Sequence, residues 1–161
     1  KSMRHWLKNH ANGEKAGRFD LPVSEVPDFK DYFTFSVIRN PWDRVVSEYH
    51  FACSRRTTPP FREFVRRLED RWMCGMTLNP GPAVKVVGTR WSDAYVSRLF
   101  RYEDLKGEIE SLSKVLMIDA PFPHKNAAAS RMPYRDYYDD VARRRVARIY
   151  EDDIKEFGYE F

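Results

Sequence analysis

The apolar positions of the chain are spaced in two ways, and the change from one to the other falls at Arg39. Phe33, Phe35, Val37 and Ile38 form a short, partly β-branched run that halts at that arginine, which is the pattern of a strand ending there. Asn40 then offers a side-chain oxygen to orphan amides, Pro41 suits a first helical position, and Asp43 brings a carboxylate to the first turn, so a helix is predicted to start here. Val45, Val46, Tyr49 and Cys53 are expected on its buried side, and Arg44 is expected to point at solvent. FREFVRRL, from Phe61 to Leu68, has apolar residues at helical spacing and reads as a short amphipathic helix. Val96 to Phe100 alternates around Arg98 and reads as a second strand running into a helix, which Glu103 or Asp104 is expected to cap. Leu105, Ile109, Leu112 and Leu116 are its inner side, with Met117 a further candidate. The last helix carries Val146, Ile149, Tyr150, Ile154 and Phe157 at three- and four-residue steps. Gly158 stops it, and Tyr159 and Phe161 are placed to fold back on the body.

Elsewhere the pattern is less regular. Lys1 to His10 reads as a helix with Met3, Trp6 and Leu7 on one face, ending in Ala11-Asn12-Gly13. Pro22 and Pro27 break the next stretch into loops. Residues 72–88 are punctuated by glycine and proline, as suits either an acceptor-facing loop or a packed surface loop.

The candidate chemistry lies at the strand-to-helix change. Ser47 is seven residues past Asn40, about two turns, and so shares the side of the helix start. An arginine, helical amides and a hydroxyl converge there, which is a good place to hold a phosphate. The same residues also describe a plain turn whose arginine pairs with a surface carboxylate.

The stretch VIRNPWDRVVSEY resembles the 3′-phosphate-binding motif of the sulfotransferases that use 3′-phosphoadenosine 5′-phosphosulfate (PAPS), and is most similar to their carbohydrate and bacterial branch. RYEDL (Arg101 to Leu105) and the ending HKNAAASRMPYRDYY…IYEDDIKEFGYEF extend the resemblance over most of the chain after about Phe19. The resemblance implies that Arg39 and Ser47 bind the 3′-phosphate of the nucleotide. It places Lys125 and Asn126 in a segment over the nucleotide, with Ser130 adding hydrogen bonds; Arg131 is another candidate anion contact, and a solvated loop is the plainer alternative for this stretch. Lys1-Ser2 resembles the tail of the family's phosphosulfate loop, so Ser2 is a candidate hydroxyl at a helix N-terminus; an exposed terminus is the plainer alternative. Related sequences often read His-Leu-Pro where this one has Asp20-Leu21-Pro22, which makes Asp20 the first candidate for the catalytic base. A carboxylate accepts a hydroxyl proton when desolvation lifts its basicity, whereas a solvated loop aspartate is a poor base. His10 and His50 are alternatives by chemistry only.

Composition narrows this picture. With 161 residues, 15% aromatic and 32% charged, the chain is a folded domain able to bury a core, not a disordered segment. The net charge of +4 suits an anionic ligand such as a nucleotide or acidic glycan, but it is a weak nucleic-acid footprint. Arg143-Arg144-Arg145 reads as a solvated helix face. Cys53, Cys74 and the four histidines show no metal-ligand spacing, and reduced thiols are the simpler expectation. No apolar run is long enough to cross a bilayer.

The expected fold is α/β: a mostly parallel central sheet flanked by helices, a nucleotide-kinase-like, P-loop-related sulfotransferase fold in a single domain over residues 1–161. The N-terminal strand and most of the phosphosulfate loop are expected to be missing from it. The expected function is transfer of a sulfuryl group from PAPS to a hydroxyl, on a carbohydrate acceptor, with no metal and a cytoplasmic or, alternatively, Golgi-lumenal location. The rival reading is a non-catalytic protein binding a nucleotide or glycan on the same scaffold. A phosphoryl transferase is disfavoured, because no GxxxxGK[ST] loop is present.

Overall fold

The structure is a computed structural model that describes residue 33 and residues 35–54, 57–68, 97–121 and 131–161. The predicted helix over 1–10, the loops around Asp20 and residues 72–88, and the segment carrying Lys125 and Asn126 lie outside the described residues.

Two strands pair in parallel: β1 (Phe35–Ile38) and β2 (Arg98–Arg101), with Phe35 opposite Arg98 and Ile38 opposite Arg101. Parallel neighbours need a long crossover, and the chain between them contains α1 (Pro41–Cys53) and α2 (Phe61–Arg66). After β2 a 3-10 turn (Tyr102–Asp104) leads into α3 (Leu105–Val115). A second 3-10 turn (Tyr134–Tyr137) precedes α4 (Asp140–Ile149) and α5 (Glu151–Phe157). The described residues therefore form a mixed structure of helices and a small parallel two-stranded sheet, consistent with an α/β class.

The main core joins α1 to α2, α4 and α5. Val45, Val46, Phe64 and Val146 are completely buried in it; each such side chain contributes about 1.5–3 kcal/mol over its exposed state. Trp42 is pinned from two sides, by its ring nitrogen donating to the Arg143 carbonyl at 3.1 Å and by the edge of Phe161 at 5.5 Å. The last residues thus fold back as their pattern predicts, and Gly158 ends α5 in the left-handed region at φ 64°, which costs glycine no Cβ clash.

Several details depart from the pattern. The final helical stretch is two helices that meet at the fully buried Tyr150. Cys53 is exposed and unbridged rather than buried, because α1 ends at that residue. Met117 is 91% exposed, for α3 ends before it and its φ of 52° turns its side chain outward; Ile118 takes the inward place. Arg143 and Arg144 are exposed as expected, but Arg145 is half-buried and its Nε donates to the Val65 carbonyl. Among the described residues, no helix is long and apolar enough to cross a membrane.

Candidate functional site

Asn40 organises the junction. Its side-chain oxygen accepts from the amides of Trp42 and Asp43 at 3.0 and 3.4 Å, and its own amide nitrogen donates to Glu103 Oε1 at 2.7 Å. Its Nδ2 donates to the Glu160 carbonyl at 2.8 Å. Pro41 has no N–H to offer and Arg44 N reaches back to the Asn40 carbonyl. The first-turn amides expected to meet a phosphate are therefore already satisfied within the protein, and the side chains around them carry the site's chemistry. Glu103 also departs from expectation: it does not cap its own helix, where Asp104 makes no side-chain cap bond either, but closes on Asn40 sixty-three positions away.

Arg39 leaves the end of β1 with its guanidinium 3.9 Å from the centre of the Tyr102 ring, a cation–π stack that fixes its plane. Its Nε donates to Asp43 Oδ2 at 2.5 Å. Among the described residues, its two terminal nitrogens have no hydrogen-bond partner. Arg131 approaches the same carboxylate: its Nη2 donates to Asp43 Oδ1 and, at 3.1 Å, to the Asp43 main-chain oxygen. Asp43 is thus bridged by two guanidinium groups, each with less than a fifth of its side chain exposed. Ser47 is half-buried on α1, and its hydroxyl has no partner among the described residues. Beneath the turn, the Tyr138 hydroxyl donates to the Trp42 carbonyl at 2.9 Å. Burial, helped by Tyr150, Asp43 and Glu48, pushes its pKa far up, so it remains a donor.

Two arginines on one carboxylate, with donors left over and a hydroxyl farther along the helix, make a half-buried cationic site suited to a phosphate or sulfate group. Comparison with known proteins agrees with this chemistry: a model of the sulfotransferase family matches residues 7–160. The chain belongs to the sulfotransferase family. No curated protein and no solved structure matches it.

The sulfotransferase also holds a second arginine–carboxylate pair, on the inward side of α1. Arg44 was expected in solvent, but it lies 5.6 Å from the centre of the Tyr150 ring with Nε donating to Glu48 Oε1 at 3.1 Å. The side chain is drawn inward because Glu48 is there to meet it. The second oxygen of Glu48 is buried without a hydrogen-bond partner. Burial raises the Glu48 pKa above the usual carboxylate value, and Arg44 and Arg39 pull it back only in part.

Of the residues singled out from sequence, the structure describes Arg39 and Ser47 and sets them on the strand end and the helix that follows it. Ser2, Asp20, Lys125 and Asn126 lie outside the described residues. His50 is described, and its Nε2 lies 2.8 Å from the Tyr137 hydroxyl, where it packs with Tyr49 and Tyr137 at the far end of α1. The bridging role of Asp43 was not read from the sequence, although its four-residue spacing from Arg39 is a visible signal.

Proposed function

We propose that the sulfotransferase uses PAPS as donor and transfers its sulfuryl group to a hydroxyl of a carbohydrate, on a P-loop-related scaffold. The observation that carries this reading is Arg39: it combines a fixed guanidinium plane over Tyr102 with terminal nitrogens that have no partner among the described residues, in a chain whose family match runs over residues 7–160. Such a group fits the dianionic 3′-phosphate that distinguishes PAPS from other adenine nucleotides. The Ser47 hydroxyl adds a hydrogen bond from the same side of the helix.

When bound, the donor supplies an activated sulfur whose bond to the 5′-phosphate oxygen breaks as the acceptor oxygen attacks. The chain's own residues must hold that line of atoms, offset negative charge on the departing phosphate and take the acceptor proton. Arg39 and Ser47 anchor the 3′-phosphate end; Lys125 and Asn126 cover the nucleotide, Ser2 donates near the 5′ end, and Asp20 receives the proton. Resemblance in VIRNPWDRVVSEY to the carbohydrate branch supports the acceptor class.

Calorimetric titration with 3′,5′-adenosine bisphosphate beside 5′-AMP tests the reading. Tight binding that depends on the 3′-phosphate, and that Arg39→Ala weakens by about 2 kcal/mol while the exposed control Arg62→Ala keeps it, is expected. A folded protein that treats the two nucleotides alike would remove PAPS from the account. Binding without turnover of any hydroxyl acceptor would favour a non-catalytic protein instead.

A further inference from the structure

We infer that Asp43 is a positioning residue for the anion site: by bridging Arg39 and Arg131 it holds both guanidinium groups ready for a phosphate that it never touches. The inference rests on the donor reading above and goes beyond it in assigning Asp43 and Arg131.

The geometry separates the two edges of the Arg39 guanidinium. Asp43 takes Nε, while the face of Tyr102 restrains the plane, so rotation about the side chain is blocked in two independent directions. The terminal nitrogens stay without a partner among the described residues. Among the described residues, Arg131 is held by one nitrogen, through contacts to both the side chain and the main chain of Asp43. An arginine brought from a site eighty-eight positions away in sequence is thereby added to the junction. Without Asp43, two like charges would face one another across this gap with nothing between them, and each would turn toward water. Ligand binding would then have to order both side chains, each at a cost in rotamer entropy. A carboxylate at this position lowers that cost in advance. It is also placed in the first turn of α1, where a negative charge is favoured by the helix.

An opposite role is chemically conceivable: the carboxylate as a rival that the phosphate must displace. The two roles predict opposite signs for the same substitution. Asp43→Asn keeps the shape but loses the charge and one acceptor oxygen, and it cannot accept from both arginines equally well.

The test is a cycle of Asp43→Asn, Arg39→Ala and the double variant on the full chain, titrated with 3′,5′-adenosine bisphosphate and 5′-AMP, with Asp43→Glu as the conservative rescue. Alongside it, the Arg39 Nε–H signal is followed by nitrogen-edited NMR without nucleotide. Asp43→Asn is expected to weaken the bisphosphate about tenfold, within the range for coupled neighbours, and to cost distinctly less once Arg39 is absent, the remainder belonging to Arg131. The 5′-AMP affinity should not change, Asp43→Glu should restore part of the loss, and the Nε–H signal should broaden in Asp43→Asn. Tighter bisphosphate binding by Asp43→Asn, or a loss that is undiminished in the Arg39→Ala background, would overturn the positioning role. If the unsubstituted protein fails to discriminate the two nucleotides, the donor reading falls. An Nε–H signal still sharp in Asp43→Asn shows instead that Asp43 does not hold Arg39, whatever the ligand.

Discussion

Arg39–Asp43 and Arg44–Glu48 are written alike in the sequence: an arginine, three intervening residues, and an acid, one directly after the other along one helix start. Each pair meets through Nε, and their side chains are exposed to similar degrees, 16% and 20% against 23% and 18%. Exposure does not distinguish them, but the surrounding charges do. Around Asp43 there are two guanidinium groups, so the outer cluster has a surplus of positive charge. Around Arg44 there are Glu48 and the electrostatic influence of the buried Asp153, with the Tyr150 hydroxyl close by, so the inner cluster has none to spare. The first can accept an anion; the second already contains its own. Which arginine keeps charge to spare thus depends on the partners that distant parts of the chain bring, Arg131 to one cluster and Asp153 to the other, not on local spacing.

The comparison breaks most sharply on stability. Arg44→Ala leaves Glu48 buried and uncompensated, and is expected to cost about 3 kcal/mol of unfolding free energy in a denaturant titration. Arg39→Ala, whose partner Asp43 keeps Arg131, should cost no more than about 1 kcal/mol in the same assay. Binding should reverse the order. Arg39→Ala is expected to lose about 2 kcal/mol of affinity for 3′,5′-adenosine bisphosphate, the range for a hydrogen bond to a charged group, and folded Arg44→Ala much less. Equal losses would abolish the distinction.

A smaller effect sharpens it through pH. The folded-state pKa of Glu48 is raised, so the fold is favoured while this carboxyl is protonated, and that contribution is lost as pH rises from the ordinary value of 4.5 through the higher folded one. Urea midpoints should therefore carry a downward component across this window that Glu48→Gln lacks. Identical slopes in the two proteins would mean that Glu48 titrates normally. The smallest effect belongs to a fully solvated counterpart on α2. Hydrogen bonds from Arg66, and with them Arg67, lower the Glu63 pKa to about 2. Its contribution is complete above the usual carboxylate value and fades as pH falls toward that lower one. Glu63→Gln should alter only the acid limb of an unfolding profile, and barely, because water screens the pair.

Local grammar was enough for β1, for the start of α1 and for the stop at Gly158, since each depends on neighbours within a few positions. It failed where the deciding partner is remote. Nothing near Glu103 says that it serves Asn40 rather than its own helix, and nothing near Arg44 says that Tyr150 waits inside. Met117 fits a helical stripe in sequence, yet the helix ends before it and the stripe no longer applies. At the candidate site, the places of Arg39 at the strand end and Ser47 on the helix that follows were legible from the pattern, whereas the bridge through Asp43 and Arg131 depends on a fold that brings the two together. The parts assigned to Ser2, Asp20, Lys125 and Asn126 rest on resemblance alone.

The hydrogen bonds of Asn40 and Asp43 also set a timetable. Their partners lie 63, 88 and 120 positions downstream, at Glu103, Arg131 and Glu160. A ribosome adds residues in chain order at about 5–20 per second, so the junction emerges several seconds before its last fastening exists. During that interval the early strand and helix have only their local bonds, those of Asn40 to the first turn and of Arg39 to Asp43. The anion site is among the first parts of the described chain to be made and among the last to be completed.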